Sequence, residues 1–134
     1  MNKIVLLISL AFIFASYNVT NAQERKAKSD IFTVVDVMPE FPGGQTALNN
    51  FIAINLQYPI EAKQNKKEGT VHSSFIVETD GSISNIKILR KIGFGCDEEV
   101  ERVLSIMPKW KPGMKNRKAV RVQMNLPVSF SLKN

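Results

Sequence analysis

The sequence predicts an α+β domain: a small antiparallel sheet, formed by a hairpin and a long C-terminal strand, with two helices packed on one of its faces. Three observations predict it. Residues 120–132 alternate apolar and polar without a miss, an Asp80-Gly81 pair separates two β-branched runs, and the stretches 44–56 and 97–107 carry apolar residues at helical spacing instead.

The chain opens with Lys3, an apolar run from Ile4 to Ala15, and small or neutral residues at Thr20 and Ala22. This pattern predicts a secretory signal over residues 1–22, cut between Ala22 and Gln23. The alternative is an uncleaved leader that tethers the chain to the inner membrane. Against it, the run is shorter than the ~20 apolar residues a span requires, and Ser16, Tyr17 and Asn18 break it. Cleavage leaves 112 of the 134 residues, enough for one modest core. With Cys96 the only cysteine, no internal disulfide, zinc cluster or lipid-attachment cysteine is expected, and the mature protein is expected to be exported and soluble.

Residues 23–29 are polar and basic and read as a short flexible lead-in. From Asp30 the chain turns apolar (Ile31, Val34, Val35, Val37, Met38), predicting an extended segment that ends at Pro39. After the turn at Glu40-Phe41-Pro42-Gly43-Gly44, the spacing of Leu48, Phe51, Ile52 and Leu56 predicts a helix over 44–55. Tyr58-Pro59 interrupts it, and Pro59 is suited to open a second, short helix through Lys63.

The hairpin is expected at Thr70–Glu78 and Ile83–Arg90, with Val71, Phe75 and Val77 on one face of its first strand. Past the glycines at 93 and 95, Asp97 is expected to cap a helix whose first turn carries Glu98 and Glu99, favourable at the positive end of the helix dipole. Val100, Val103, Leu104 and Met107 give this helix its apolar face, and Pro108 ends it. The last strand places Val120, Val122, Met124, Leu126, Val128, Phe130 and Leu132 on one face and Arg121, Gln123, Asn125, Pro127, Ser129 and Ser131 on the other. Proline cannot donate to a ladder, so an unpaired edge is expected near Pro127.

No catalytic constellation emerges, and no enzyme, metal or cofactor is expected. His72 stands alone in mid-strand, and capping accounts for the acidic group Asp97, Glu98, Glu99 and Glu101. Gly43-Gly44 and Gly93-x-Gly95 lack a phosphate-loop context, Cys96 reads as a buried thiol, and Trp110 as a core residue between outward-pointing lysines. Removing Lys3 with the leader leaves 17 basic side chains against 12 acidic ones. Six of the basic ones, Lys109, Lys111, Lys115, Arg117, Lys118 and Arg121, fall within thirteen residues. In an exported protein they read as a solvated face, with an acidic partner or anionic membrane surface as the alternative, rather than as a nucleic-acid site.

Seven pieces in order resemble the C-terminal domain of TonB, in the form found in Bacteroidota: Tyr58-Pro59 with Ala62; Glu68-Gly69-Thr70-Val71; Phe75-Ile76-Val77; Asp80-Gly81-Ser82-Ile83; Cys96-Asp97-Glu98-Glu99-Val100; Met107 to Gly113; and Pro127-Val128-Ser129-Phe130. Phe41-Pro42-Gly43-Gly44 upstream fits the same form. The resemblance implies a periplasmic module that adds the TonB-box segment of outer-membrane transporters to its sheet edge as a strand. Both arguments place that edge on the last strand, at Arg121, Gln123, Asn125, Pro127 and Ser129. The resemblance also implies partner contacts at Asn55, Gln57 and Tyr58. A full transducer needs an inner-membrane anchor and a long proline-rich spacer. Only about seven polar residues, a reach of at most ~25 Å, separate leader and domain, so a free-standing binding module is expected. The alternative is a self-associating structural or accessory protein of the envelope, a homodimer joined through the same edge.

Overall fold

A computed structural model of the chain describes residues 30–133. The leader, its cleavage point at Ala22 and Gln23, and the lead-in 23–29 lie outside the described residues.

The elements run β1 (Ile31–Phe32), α1 (Gly44–Asn55), α2 (Ile60–Gln64), β2 (Gly69–Val77), β3 (Ile83–Arg90), α3 (Cys96–Ser105), β4 (Gly113–Lys115) and β5 (Lys118–Phe130). The sheet has the order β1-β5-β2-β3, with β4 folded back on the start of β5. All pairings are antiparallel except β1 with β5. The expected α+β architecture is thus present, with a parallel two-residue β1 added at one flank. The apolar segment predicted after Asp30 forms a strand only at Ile31–Phe32. It then bends, and Val37 and Glu40 bridge singly to Met114 and Lys111.

β2 is central, and from Ser73 to Val77 every residue is buried, because β5 and β3 flank it. Its partner β3 is irregular. The β2–β3 register shifts twice, between His72 and Ser73 and between Ser74 and Ile76, and Asn85 sits at φ 49 in the middle of β3. By contrast, β2 and β5 pair without a shift over nine residues, from Gly69↔Phe130 to Val77↔Val122.

The core-facing side chains of this sheet, Val71, Phe75, Val77, Val128 and Phe130, join Leu48 of α1, Ala62 of α2, and Val100 and Leu104 of α3 in one cluster. Burying a side chain such as Leu48 contributes about 2 kcal/mol. Trp110 belongs to this cluster, 5% exposed, between Phe41 and Phe75 at centroid distances of 5.6 and 5.3 Å. Its neighbours Lys109 and Lys111 are exposed, as the sequence indicated.

Two local expectations are corrected. Asp97 does not cap α3: the helix starts at Cys96 after Gly95 in the left-handed region, and the buried Asp97 carboxylate reaches back to accept the backbone N–H groups of Ile92 and Gly93, both at 2.9 Å. The strand predicted to run to Leu132 stops at Phe130, because the Leu132 N–H leaves the ladder and donates to Glu68 at 2.7 Å.

Candidate functional site

An unbroken β2–β5 register decides which way each backbone group of β5 points. His72 pairs with Pro127, and the ladder continues on both sides of it. A proline is tolerated there only if its nitrogen faces away from β2, and orientation alternates along an antiparallel strand. Leu126 and Val128 therefore turn their amides to β2, while Asn125, Pro127 and Ser129 turn theirs to the other flank. On that flank β4 covers Lys118–Val120 and β1 covers Arg121–Val122. Beyond Val122 no strand among the described residues pairs with it. From Asn125 onward the free donors are thus the amides of Asn125 and Ser129, with a gap at Pro127.

The residues expected to bind a partner divide into three groups. Gln123, Asn125, Pro127 and Ser129 are exposed along this flank. Arg121 is engaged: its Nε donates to Glu78 Oε1 at 2.7 Å, both side chains are 25% exposed, and Ile31 lies alongside. Asn55, Gln57 and Tyr58 follow α1 and are held by the fold. Asn55 Nδ2 donates to the Phe51 carbonyl at 2.8 Å, and the Asn55 carbonyl accepts from Arg102 Nη2 at 2.7 Å. The Gln57 N–H donates to Glu99 Oε1 at 2.8 Å. The Tyr58 hydroxyl donates to the Lys67 carbonyl, and its ring meets Phe130 edge-on at 5.5 Å. Burial, followed by the charges of Cys96 and Glu68, raises the Tyr58 pKa above its ordinary value. Only the Gln57 side chain is left facing solvent in this group.

Sequence reasoning missed what stands beside the edge. Two clefts of about 350 and 300 Å³ lie between β5 and the chain from Pro39 to Leu56. The first has Leu48, Phe75 and Trp110 in its lining and meets β5 at Met124–Leu126. The second has Ile52, Ala53 and Leu56 and meets β5 at Pro127–Ser129. The sequence signal was the margin of the same apolar stripe: Ile52 and Leu56 line the second cleft, and Gln45 and Asn49 continue that side of α1.

The other groups considered for chemistry are structural. Cys96 is fully buried, and burial, with Asp97 and Glu98 nearby, pushes its thiol pKa up and away from reactivity. The basic residues do not form one free patch: Arg121 bonds Glu78, Lys115 lies 4.5 Å over the Phe32 ring, and Lys109 is 3.9 Å from Asp80. No helix among the described residues is long and apolar enough to cross a membrane.

The family model described as the Gram-negative bacterial TonB protein C-terminal matches residues 54–132. Among solved structures, the solution structure of the Helicobacter pylori TonB C-terminal domain is similar at 23% identity and a TM-score of 0.50, over 66% of this chain and 80% of that one. The Pseudomonas aeruginosa TonB C-terminal domain is similar at 19% identity and a TM-score of 0.46, over 78% of this chain and 95% of that one. No curated protein matches. At 23% identity the likeness to the Helicobacter pylori domain speaks for the fold alone, and the family model over residues 54–132 supplies the kinship: this chain belongs to the TonB C-terminal domain family.

Proposed function

We propose that this protein is a non-enzymatic periplasmic module that binds outer-membrane transporters by taking up an extended segment of them, of the TonB-box kind, as an added strand on β5. The observation that supports this reading is the contrast between the two sides of the sheet. β5 offers a regular, unbulged flank from Asn125 to Ser129, whereas β3 is disrupted by two register shifts and by Asn85 at positive φ, features that discourage pairing. Export by a signal over residues 1–22 belongs to the same proposal, since the transporter segment is met in the periplasm.

The test is binding of synthetic TonB-box peptides to the purified protein and to Asn125→Pro. That substitution removes an outward-facing donor without touching the β2 ladder. Binding by the parent and its loss in the variant is the expected result, and no peptide binding at all overturns the proposal. Sedimentation covers the alternative, in which a stable dimer has already consumed the edge.

A further inference from the structure

Helix α1 lies almost wholly outside residues 54–132, the part of the chain that carries the family match. It nevertheless walls the only side from which β5 is open among the described residues. We infer that α1 turns the β5 edge into a reading groove, selecting extended peptides with apolar side chains on alternate positions and a basic residue at the Glu40 end. The inference rests on the strand-addition reading above and adds to it which strands are accepted.

The argument begins with pleat geometry. Side chains of an added strand alternate between the two sheet faces, and those on the core-facing side lie beside Met124, Leu126 and Val128. Both clefts open along that side. The one beside Met124 and Leu126 is floored by Phe41, Leu48 and Trp110, and the one beside Val128 by Ile52 and Ala53. Consecutive core-facing residues of the added strand would therefore enter first one cleft and then the other, while the residues between them face solvent beside Asn125, Pro127 and Ser129. Main-chain bonds to Asn125 and Ser129 fix the register, and the missing donor at Pro127 marks the step between the clefts.

Charge sets the polarity of the groove. Glu40 is the only ionisable residue lining either cleft. It is exposed, and its carboxylate has no ion-pair partner among the described residues. A lysine or arginine just past the residue in the first cleft would meet it. An acidic residue there would face like charge.

The experiment uses the purified chain and fluorescent nine-residue peptides of alternating leucine and threonine, with lysine or glutamate at either end, read by polarisation. Replacing the leucine in either cleft position with serine is expected to weaken binding about tenfold. Gln45→Trp and Ala53→Trp, which fill the clefts from α1 without touching β5, are each expected to cost about the same. Ile54→Gln, on the exposed side of α1, is expected to cost nothing. Glu40→Lys is expected to exchange the preference for lysine with that for glutamate. If peptides bind and Asn125→Pro abolishes binding, yet the two tryptophan variants and the serine peptides behave like their parents, the groove is wrong and the edge stands. If Asn125→Pro has no effect on bound peptide, the edge itself is wrong, and the groove falls with it.

Discussion

Gly81 and Trp110 are locked to each other through their backbones. The Trp110 N–H donates to the Gly81 carbonyl at 2.8 Å, and the Trp110 carbonyl occupies the place where a β-carbon on residue 81 would sit. Gly81 is at φ 86, closing the β2–β3 turn after the Asp80 carboxylate has bonded Ser82. The Asp-Gly pair therefore does more than reverse the chain: it pins the residue around which Phe41 and Phe75 pack.

Gly81→Ala is expected to lose about 2–4 kcal/mol, combining left-handed strain with displacement of Trp110. Urea unfolding followed by Trp110 fluorescence measures it. A midpoint equal to that of the parent would show that the turn and the aromatic cluster are not coupled.

Adjacent prolines on β5 should behave as opposites. Asn125→Pro removes an amide that faces the open flank and is expected to cost under about 1 kcal/mol, whereas Leu126→Pro removes a β2 ladder bond and is expected to cost about 3 kcal/mol or more. Thermal unfolding of the two variants checks the orientation of the strand independently of any ligand. Similar losses in both would mean that the register is not as described.

The alternation of residues 120–132 was legible because a period of two has no helical counterpart, and the α1 stripe because three-four spacing has no strand counterpart. Less local features were not. Asp at the second helical position looks like a cap in sequence, and only the fold shows Asp97 turning back to Ile92 and Gly93. The end of β5 depends on Glu68, 64 residues away from Leu132 in the chain. The open flank could be inferred from Pro127 alone, but the helix standing beside it could not, since nothing in either segment encodes their proximity. Of the residues the resemblance nominated, Asn55 is held through its side-chain amide and backbone carbonyl, Gln57 through its backbone N–H, and Tyr58 through its ring and hydroxyl, by partners that the sequence does not display.

Acid should loosen the joint between α1 and α3. Glu99 accepts two bonds from Arg102, at 2.6 and 3.0 Å, and one from the Gln57 amide. The Arg102 bonds hold its carboxyl below the ordinary value of 4.5, against the opposing effect of burial. A carboxylate whose folded pKa is depressed contributes stability above its unfolded pKa and loses it as pH falls through the folded one. Stability is therefore expected to decline below about pH 4.5, with a smaller decline in Glu99→Gln and faster amide exchange at Gln57. An identical decline in parent and variant would assign the acid sensitivity elsewhere.

Tyr58 separates a structural role from a binding one. Its hydroxyl is spent on the Lys67 carbonyl and its ring on Phe130, so its contribution to the edge is to hold the last residue of β5 in place. Tyr58→Phe deletes the hydroxyl and keeps the ring contact. The variant is expected to lose about 1 kcal/mol of stability, the net worth of one hydrogen bond whose acceptor is left half-buried. It is expected to bind peptide as the parent does at temperatures where both are folded. Urea midpoints and polarisation titrations on the same samples give the two quantities separately. A fall in affinity with unchanged stability would make the Tyr58 hydroxyl a partner contact, as the family resemblance suggests, and would require it to leave Lys67 when a strand docks.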